Sequence, residues 1–210
     1  SPELAPEIEN SSAPNLYLAD RTTGAIELVS LLPDGSAAGS VGSASAISAD
    51  GRFVAFWSEA ALNADVDPVG RPQLYRRDLI TRTTVMVTVS TNPEQGSVIS
   101  SFGGEQAVAM SADGRFITWH SDAGDLIPGF VDNNGAGVDV FVRDMALGVT
   151  RLASHAASSL TASGDGTSLS PQISADGSRV AFLTAATNVQ AGVTDVNGEG
   201  DLAIFSWADG

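Results

Sequence analysis

The sequence predicts an all-β fold: tandem four-stranded antiparallel β-propeller blades, 63 residues per repeat, with incomplete blades at both ends. Three observations predict it. Asp-Gly pairs lie at residues 50, 113 and 176, each inside the same Ser-Ala-Asp-Gly block, so both spacings are 63 residues. A second apolar block closed by Asp or Ser follows each turn. No segment sustains apolar residues at i, i+3, i+4 and i+7, the spacing that an amphipathic helix needs. Four short strands repeated at a fixed period describe a propeller blade.

In chain order, residues 1–14 form an N-terminal extension, and 15–32 supply strands c and d of blade 1. Strand c is Asn15-Leu16-Tyr17-Leu18-Ala19-Asp20, and strand d runs from Ala25 to Ser30. Blade 2 spans 41–90. Its strand a sets Ala44, Ala46 and Ser48 on one face and Ser45 and Ile47 on the other. The block Ile47-Ser48-Ala49-Asp50-Gly51-Arg52-Phe53-Val54-Ala55-Phe56 then turns it into strand b. Strand c is Gln73-Leu74-Tyr75-Arg76-Arg77-Asp78, and strand d is Thr84 to Val89. Blade 3, over 104–155, repeats this with Met110 to Trp119, Asp139-Val140-Phe141-Val142-Arg143-Asp144, and Val149 to Ser154. Blade 4, over 168–210, has strands a to c, ending in Asp201-Leu202-Ala203-Ile204-Phe205-Ser206. Gly takes the positive-φ position of each a–b turn without steric cost, and Asp bonds its own backbone. Asp50, Asp113 and Asp176 are therefore expected to shape turns. Asp20, Asp78 and Asp144 are expected to bond loop amides at the c–d corners.

The string Ser-Ala-Asp-Gly-Arg-Phe-Val-Ala-Phe at 48–56, with Asp-Val-Phe-Val-Arg-Asp at 139–144, resembles the TolB-like, WD-related β-propeller repeat family. The resemblance covers about residues 15 to 210. It implies a bacterial, extracytoplasmic protein, periplasmic or secreted, with a binding or scaffolding job. Related propellers also gate the active sites of serine peptidases. Against a propeller of 4–8 blades, at most four are supplied here. The chain is expected to be a fragment of a longer propeller. Alternatively two copies complement one another, or the open blades stack between copies into a filament, because unpaired strand edges template further pairing. The partner is thus another protein or a second copy.

The loops between strands b and c carry a second pattern. Blade 3 has Asp132-Asn133-Asn134-Gly135 followed by Asp139, and blade 4 has Asp195-Val196-Asn197-Gly198 followed by Asp201. Alternating oxygen ligands with a Gly at the sharp turn suit Ca²⁺, which takes 6–8 oxygens at flexible geometry. The candidate ligands are Asp132, Asn134 and Asp139, and Asp195, Asn197 and Asp201. The spacing is shorter than that of an EF-hand. The other reading is a tight polar loop shaped by ordinary turn chemistry.

Composition and motifs point away from catalysis. Twenty-five acidic residues against ten basic ones, all Arg, give a net charge of -15. An acidic surface without basic clusters repels phosphate backbones, so nucleic acid is not an expected partner. Without Cys there is no disulfide, thiol nucleophile or cysteine-ligated zinc. No apolar stretch approaches 18 residues, so no membrane helix is expected. Only two histidines are present, and neither a Gly-x-Ser-x-Gly elbow nor a phosphate loop occurs. No cofactor is required and no catalytic residue is assigned. His120 reads as a partly buried packing residue, and His155 as lying in an exposed loop. Phe53, Phe56, Phe116, Trp119 and Phe182 read as inter-blade core. Trp57, Trp207, Phe102 and Phe130 are candidates for contact with a ligand or partner.

Overall fold

The computed structural model describes residues 14–63, 71–92, 107–193 and 197–206. Its regular elements are all strands. β1 (Tyr17–Ala19) and β2 (Ile26–Leu28) pair antiparallel as blade 1. β3 (Val41–Ile47), β4 (Phe53–Ser58), β5 (Gln73–Asp78) and β6 (Thr83–Met86) form blade 2 in chain order. β7 (Val108–Met110), β8 (Phe116–Ser121), β9 (Asp139–Asp144) and β10 (Val149–Leu152) form blade 3 in the same way. β11 (Ser168–Ile173), β12 (Arg179–Thr184) and β13 (Asp201–Ser206) make the three-stranded blade 4.

The a–b turns show why both Ser and Asp recur. Ser48 Oγ donates to Asp50 Oδ1 at 2.6 Å, and the same Asp oxygen accepts the Arg52 amide at 3.0 Å. Ser48 Oγ in turn accepts the Phe53 amide at 2.9 Å. Ser111 with Asp113, and Ser174 with Asp176, repeat these bonds. Gly51, Gly114 and Gly177 hold φ of 73°, 72° and 74°, where a Cβ would be strained.

The c–d corners behave as expected and add an ion pair. Asp78 Oδ1 accepts the amides of Ile80 and Thr81 at 2.9 and 3.3 Å, and Asp144 does the same for Ala146 and Leu147. Each carboxylate also takes a bidentate guanidinium from its own a–b turn. Arg52 reaches Asp78 at 3.1 and 2.7 Å, and Arg115 reaches Asp144 at 2.9 and 2.6 Å. Two parallel N–H donors on one carboxylate make a directional, charge-assisted contact. Blade 4 has Ser178 and Ser206 at these two positions, so both halves of the pair are absent together.

The core lies between blades rather than within any one of them. Side chains alternate along strand b, so Val54 and Phe56 face the preceding blade while Ala55 and Trp57 face the following one. Blades 1 and 2 bury Val29, Val54, Phe56 and Tyr75 together. Blades 2 and 3 bury Trp57, Leu74 and Val87 against Ile117, Trp119 and Phe141. Blades 3 and 4 bury Val140, Val142 and Ala153 against Val180, Phe182 and Phe205. Each such aliphatic or aromatic side chain contributes roughly 1.5–3 kcal/mol on burial. The Ala of each turn adds a backbone rung: Ala49 N–H donates to Ala112 C=O, and Ala112 N–H to Ala175 C=O, both at 2.8 Å. Beside the rung, the Phe53 ring lies directly under Gly114, and the Phe116 ring under Gly177.

Candidate binding surface

The blade 3 loop gathers part of the expected oxygen cluster. Asp132 Oδ1 accepts the amides of Asn134 and Gly135 at 2.9 and 2.8 Å, closing the turn on Gly135 at φ 67°. Asn134 Nδ2 donates to Asp139 Oδ1 and to Gly166 C=O, each at 3.2 Å, which ties this loop to the connection between blades 3 and 4. Asn134 Oδ1 is buried with no hydrogen-bond partner. Asp139, only 2% exposed, also accepts from Ser154 Oγ at 2.9 Å. Burial pushes its carboxyl up to about 7, against the two hydrogen bonds and with help from the Asp132 charge.

The blade 4 loop differs. Asp195 lies outside the described residues. Asn197 Oδ1 accepts the Glu199 amide at 3.0 Å, and Asp201 stands exposed at the start of β13. Among the described residues, no three His, Cys, Asp or Glu side chains cluster closely enough to hold a metal.

Asp139 belongs to a repeat-level device that the sequence reading missed. The first residue of strand c carries an oxygen acceptor, and a hydroxyl 15 residues later fills it. Ser30 donates to Asn15, Thr88 to Gln73, and Ser154 to Asp139. The same hydroxyl accepts the next strand-c amide, from Leu16, Leu74 or Val140. The signal was present as a Ser or Thr at a constant offset from a changing Asn, Gln or Asp.

Several aromatic expectations are corrected. Trp57 is not at a surface; it is buried between blades 2 and 3, because its column points at the following blade. Phe130 is not a surface contact either: it packs on Phe141 with ring centroids 6.0 Å apart. His155 is half-buried rather than in an open loop, edge-on to Phe205 at 5.8 Å. His120 is half-buried, and burial lowers its pKa. Phe102 and Trp207 lie outside the described residues.

Blade 4 leaves three neighbouring apolar side chains exposed. Leu183 on β12 and Leu202 and Ile204 on β13 are 47%, 69% and 64% exposed. All three point away from blade 3. Their counterparts in blade 2, Trp57 and Leu74, are buried by blade 3, and Val140 and Val142 of blade 3 are buried by blade 4. At the other end, Ile47 on β3 is 49% exposed, whereas its counterparts Met110 and Ile173 pack against the preceding blade.

This architecture matches that of the tricorn protease with a TM-score of 0.51 at 16% identity, over 91% of this chain and 15% of that one. The fold is a β-propeller. TolB from Agrobacterium tumefaciens matches with a TM-score of 0.46 at 13% identity, over 93% of this chain and 54% of that one. A prolyl endopeptidase matches at 0.45 and 16%, over 91% and 24%. The propeller chain thus spans between 15% and 54% of the length of these three proteins. No family model matches it, and no curated protein matches it in sequence. Among the described residues, no helix is long and apolar enough to cross a membrane.

Proposed function

We propose that this propeller is a TolB-like, non-enzymatic module that works outside the cytoplasm as a protein-binding or scaffold element. The observation that carries the reading is the open face of blade 4, where Leu183, Leu202 and Ile204 lie exposed at positions that the other blades bury. Contiguous exposed apolar side chains on a sheet face mark a surface for another protein. Calcium belongs to the same proposal, held by Asp132, Asn134 and Asp139. Support comes from the buried Asn134 Oδ1, which lacks a donor, and from the buried Asp139 carboxyl. Asp195, Asn197 and Asp201 would form the blade 4 counterpart.

A photoreactive side chain at position 202 or 204 tests the binding role in an extract of the source organism. A discrete cross-linked product is expected there and not from position 147, an equally exposed leucine on a c–d corner. Equal yields from all three positions would remove the reading. A second reading, a propeller portion of a larger hydrolase, is favoured only by the likeness to the tricorn protease. Coding sequence for a hydrolase domain downstream of Gly210 would decide for it.

A further inference from the structure

We propose that the occupant of the blade 4 face is a second copy of this chain, joined by strand exchange: β13 of one copy takes the place of β1 in the next. The proposal rests on the reading of that face as a binding surface.

Strand β13 duplicates β1 chemically. In the column order set by the strand pairings, Asp201, Leu202 and Ile204 stand where Asn15, Leu16 and Leu18 stand in blade 1. Leu16 and Leu18 pack into the core between blades 1 and 2, while Leu202 and Ile204 have nothing over them. Asn15 accepts the Ser30 hydroxyl, and Asp139 shows that Asp performs that job equally well. Set on β2 of a second copy, β13 would place Asp201 at Ser30 and its two apolar side chains against Val29, Val54 and Phe56.

The inner ends of the two copies are complementary as well. The rungs Ala49 to Ala112 and Ala112 to Ala175 leave the Ala175 N–H and the Ala49 C=O without rungs of their own. Donor and acceptor would meet across the new junction and continue the same ladder. Leu183 would cover Ile47, as blade-to-blade contacts cover Met110 and Ile173. Arg179 stands where Phe53 and Phe116 lie under the next turn's glycine. The turn it would meet is Asp50-Gly51, whose glycine has open space above it and whose Asp is exposed. A guanidinium there faces a carboxylate, so the one departure from the internal pattern is matched in charge.

The two strands, β1 and β13, differ in how far they are paired within their own blades. β1 pairs with β2 through three residues, and β13 is fixed to β12 through six, so the exchanged strand arrives held in its own blade. The joined blade then has four strands in order, β11-β12-β13 from one copy and β2 from the other. Two copies place six inner strands around the axis, within the propeller range of 4–8 blades, whereas three copies would place nine. Contacts of this head-to-tail kind close into a ring when the rotation fits.

The chain contains no cysteine, so an introduced pair reports without background. Residues 30 and 201 belong to blades 1 and 4 of one chain, and across the exchanged junction they become partners. Ser30→Cys with Asp201→Cys is expected to give a covalent two-chain species on a non-reducing gel. Light scattering at tens of micromolar should give the unmodified chain twice the 21.4 kDa of one copy. Leu202→Glu with Ile204→Glu, both at exposed positions, should return the mass to one copy with an unchanged circular dichroism spectrum. Asp139→Cys with Ser154→Cys, the same pair of columns in blade 3, which the exchange leaves intact, is the control for oxidation, closing within one chain. Closure in that control without any two-chain band from the 30/201 pair would overturn the proposal, as would a mass of one copy for the unmodified chain. A cross-linked product at position 202 that contains another protein and not this chain would overturn strand exchange and keep the binding reading.

Discussion

The Ser154 hydroxyl donates to Asp139 at 2.9 Å and accepts the Val140 amide at 3.0 Å, so one side chain satisfies a buried carboxylate and a buried backbone donor together. Asn15 and Gln73 do the same work in blades 1 and 2 without a charge. The position needs an acceptor oxygen, and only blade 3 supplies it as a buried carboxylate.

That charge sets a pH dependence. The carboxyl titrates near 7 when folded and near about 4 when unfolded. Between these values the folded chain holds the extra proton, so stability falls as pH rises and then levels off above 7. Asp139→Asn keeps both donors on Oδ1 and removes the titration. The variant should melt with the parent at pH 4–5 and several degrees above it at pH 8. Parallel melting profiles from pH 4 to 8 would contradict this.

Asp78 and Asp144 work in the opposite direction. Arg52 and Arg115 hold their carboxyls below the usual carboxylate range, helped by the corner amides. Their contribution is complete above about pH 4 and is lost as acid protonates them. Asp144→Ala strands Arg115 and the amides of Ala146 and Leu147, which should cost about 1–3 kcal/mol in urea unfolding near neutral pH. Parent and variant should converge as acid protonates the carboxyl. Ser178→Arg with Ser206→Asp installs the same pair in blade 4, and the double substitution should be more stable than the two single effects added.

Gly51 and Gly114 share a backbone conformation, at φ 73° and 72°, but not their surroundings. A Cβ at Gly51 meets open space, and one at Gly114 collides with the Phe53 ring. Gly51→Ala should cost about 1–2 kcal/mol, the penalty of the left-handed backbone alone. Gly114→Ala should cost a further 1–3 kcal/mol or so from overpacking. Equal losses of stability would mean that the ring moves aside freely.

Calcium is tested by melting in millimolar Ca²⁺ against chelator. A rise of several degrees that Asp132→Ala removes is the expected result, since a ligand that binds only the folded state stabilises it by mass action. Coincident curves would leave the loop to its hydrogen bonds alone.

Most of the architecture was legible because it is written in short-range chemistry repeated at long range. The Ser-Ala-Asp-Gly block specifies its own turn through bonds two to five residues long. Strand alternation put Ala44 and Ile47 on opposite faces before any partner was known. What escaped the sequence were contacts that only the stacking creates. Trp57 looked anomalous because its column holds His120 and Leu183 in the other blades, and only stacking shows that this column faces the next blade. The Arg52–Asp78 pair joins residues 26 apart, with no local signal linking them. The acceptor role of Asp139 escaped because the residue was compared along its own loop, whereas its equivalents, Asn15 and Gln73, lie one repeat away.

The alanine ladder has a mechanical consequence. The main inter-sheet strand contacts run from β3 and β4 to β7 and from β7, β8 and β9 to β11, between neighbouring blades. Load applied to the two ends of the chain therefore passes through the blades in series. Stretched between a bead and a surface, the molecule should yield in discrete events, each releasing one repeat of contour, about 220 Å at roughly 3.5 Å per residue. The first event should come from blade 1 or blade 4, which lack the Arg–Asp clasp that staples each a–b turn of the two middle blades to its own c–d corner.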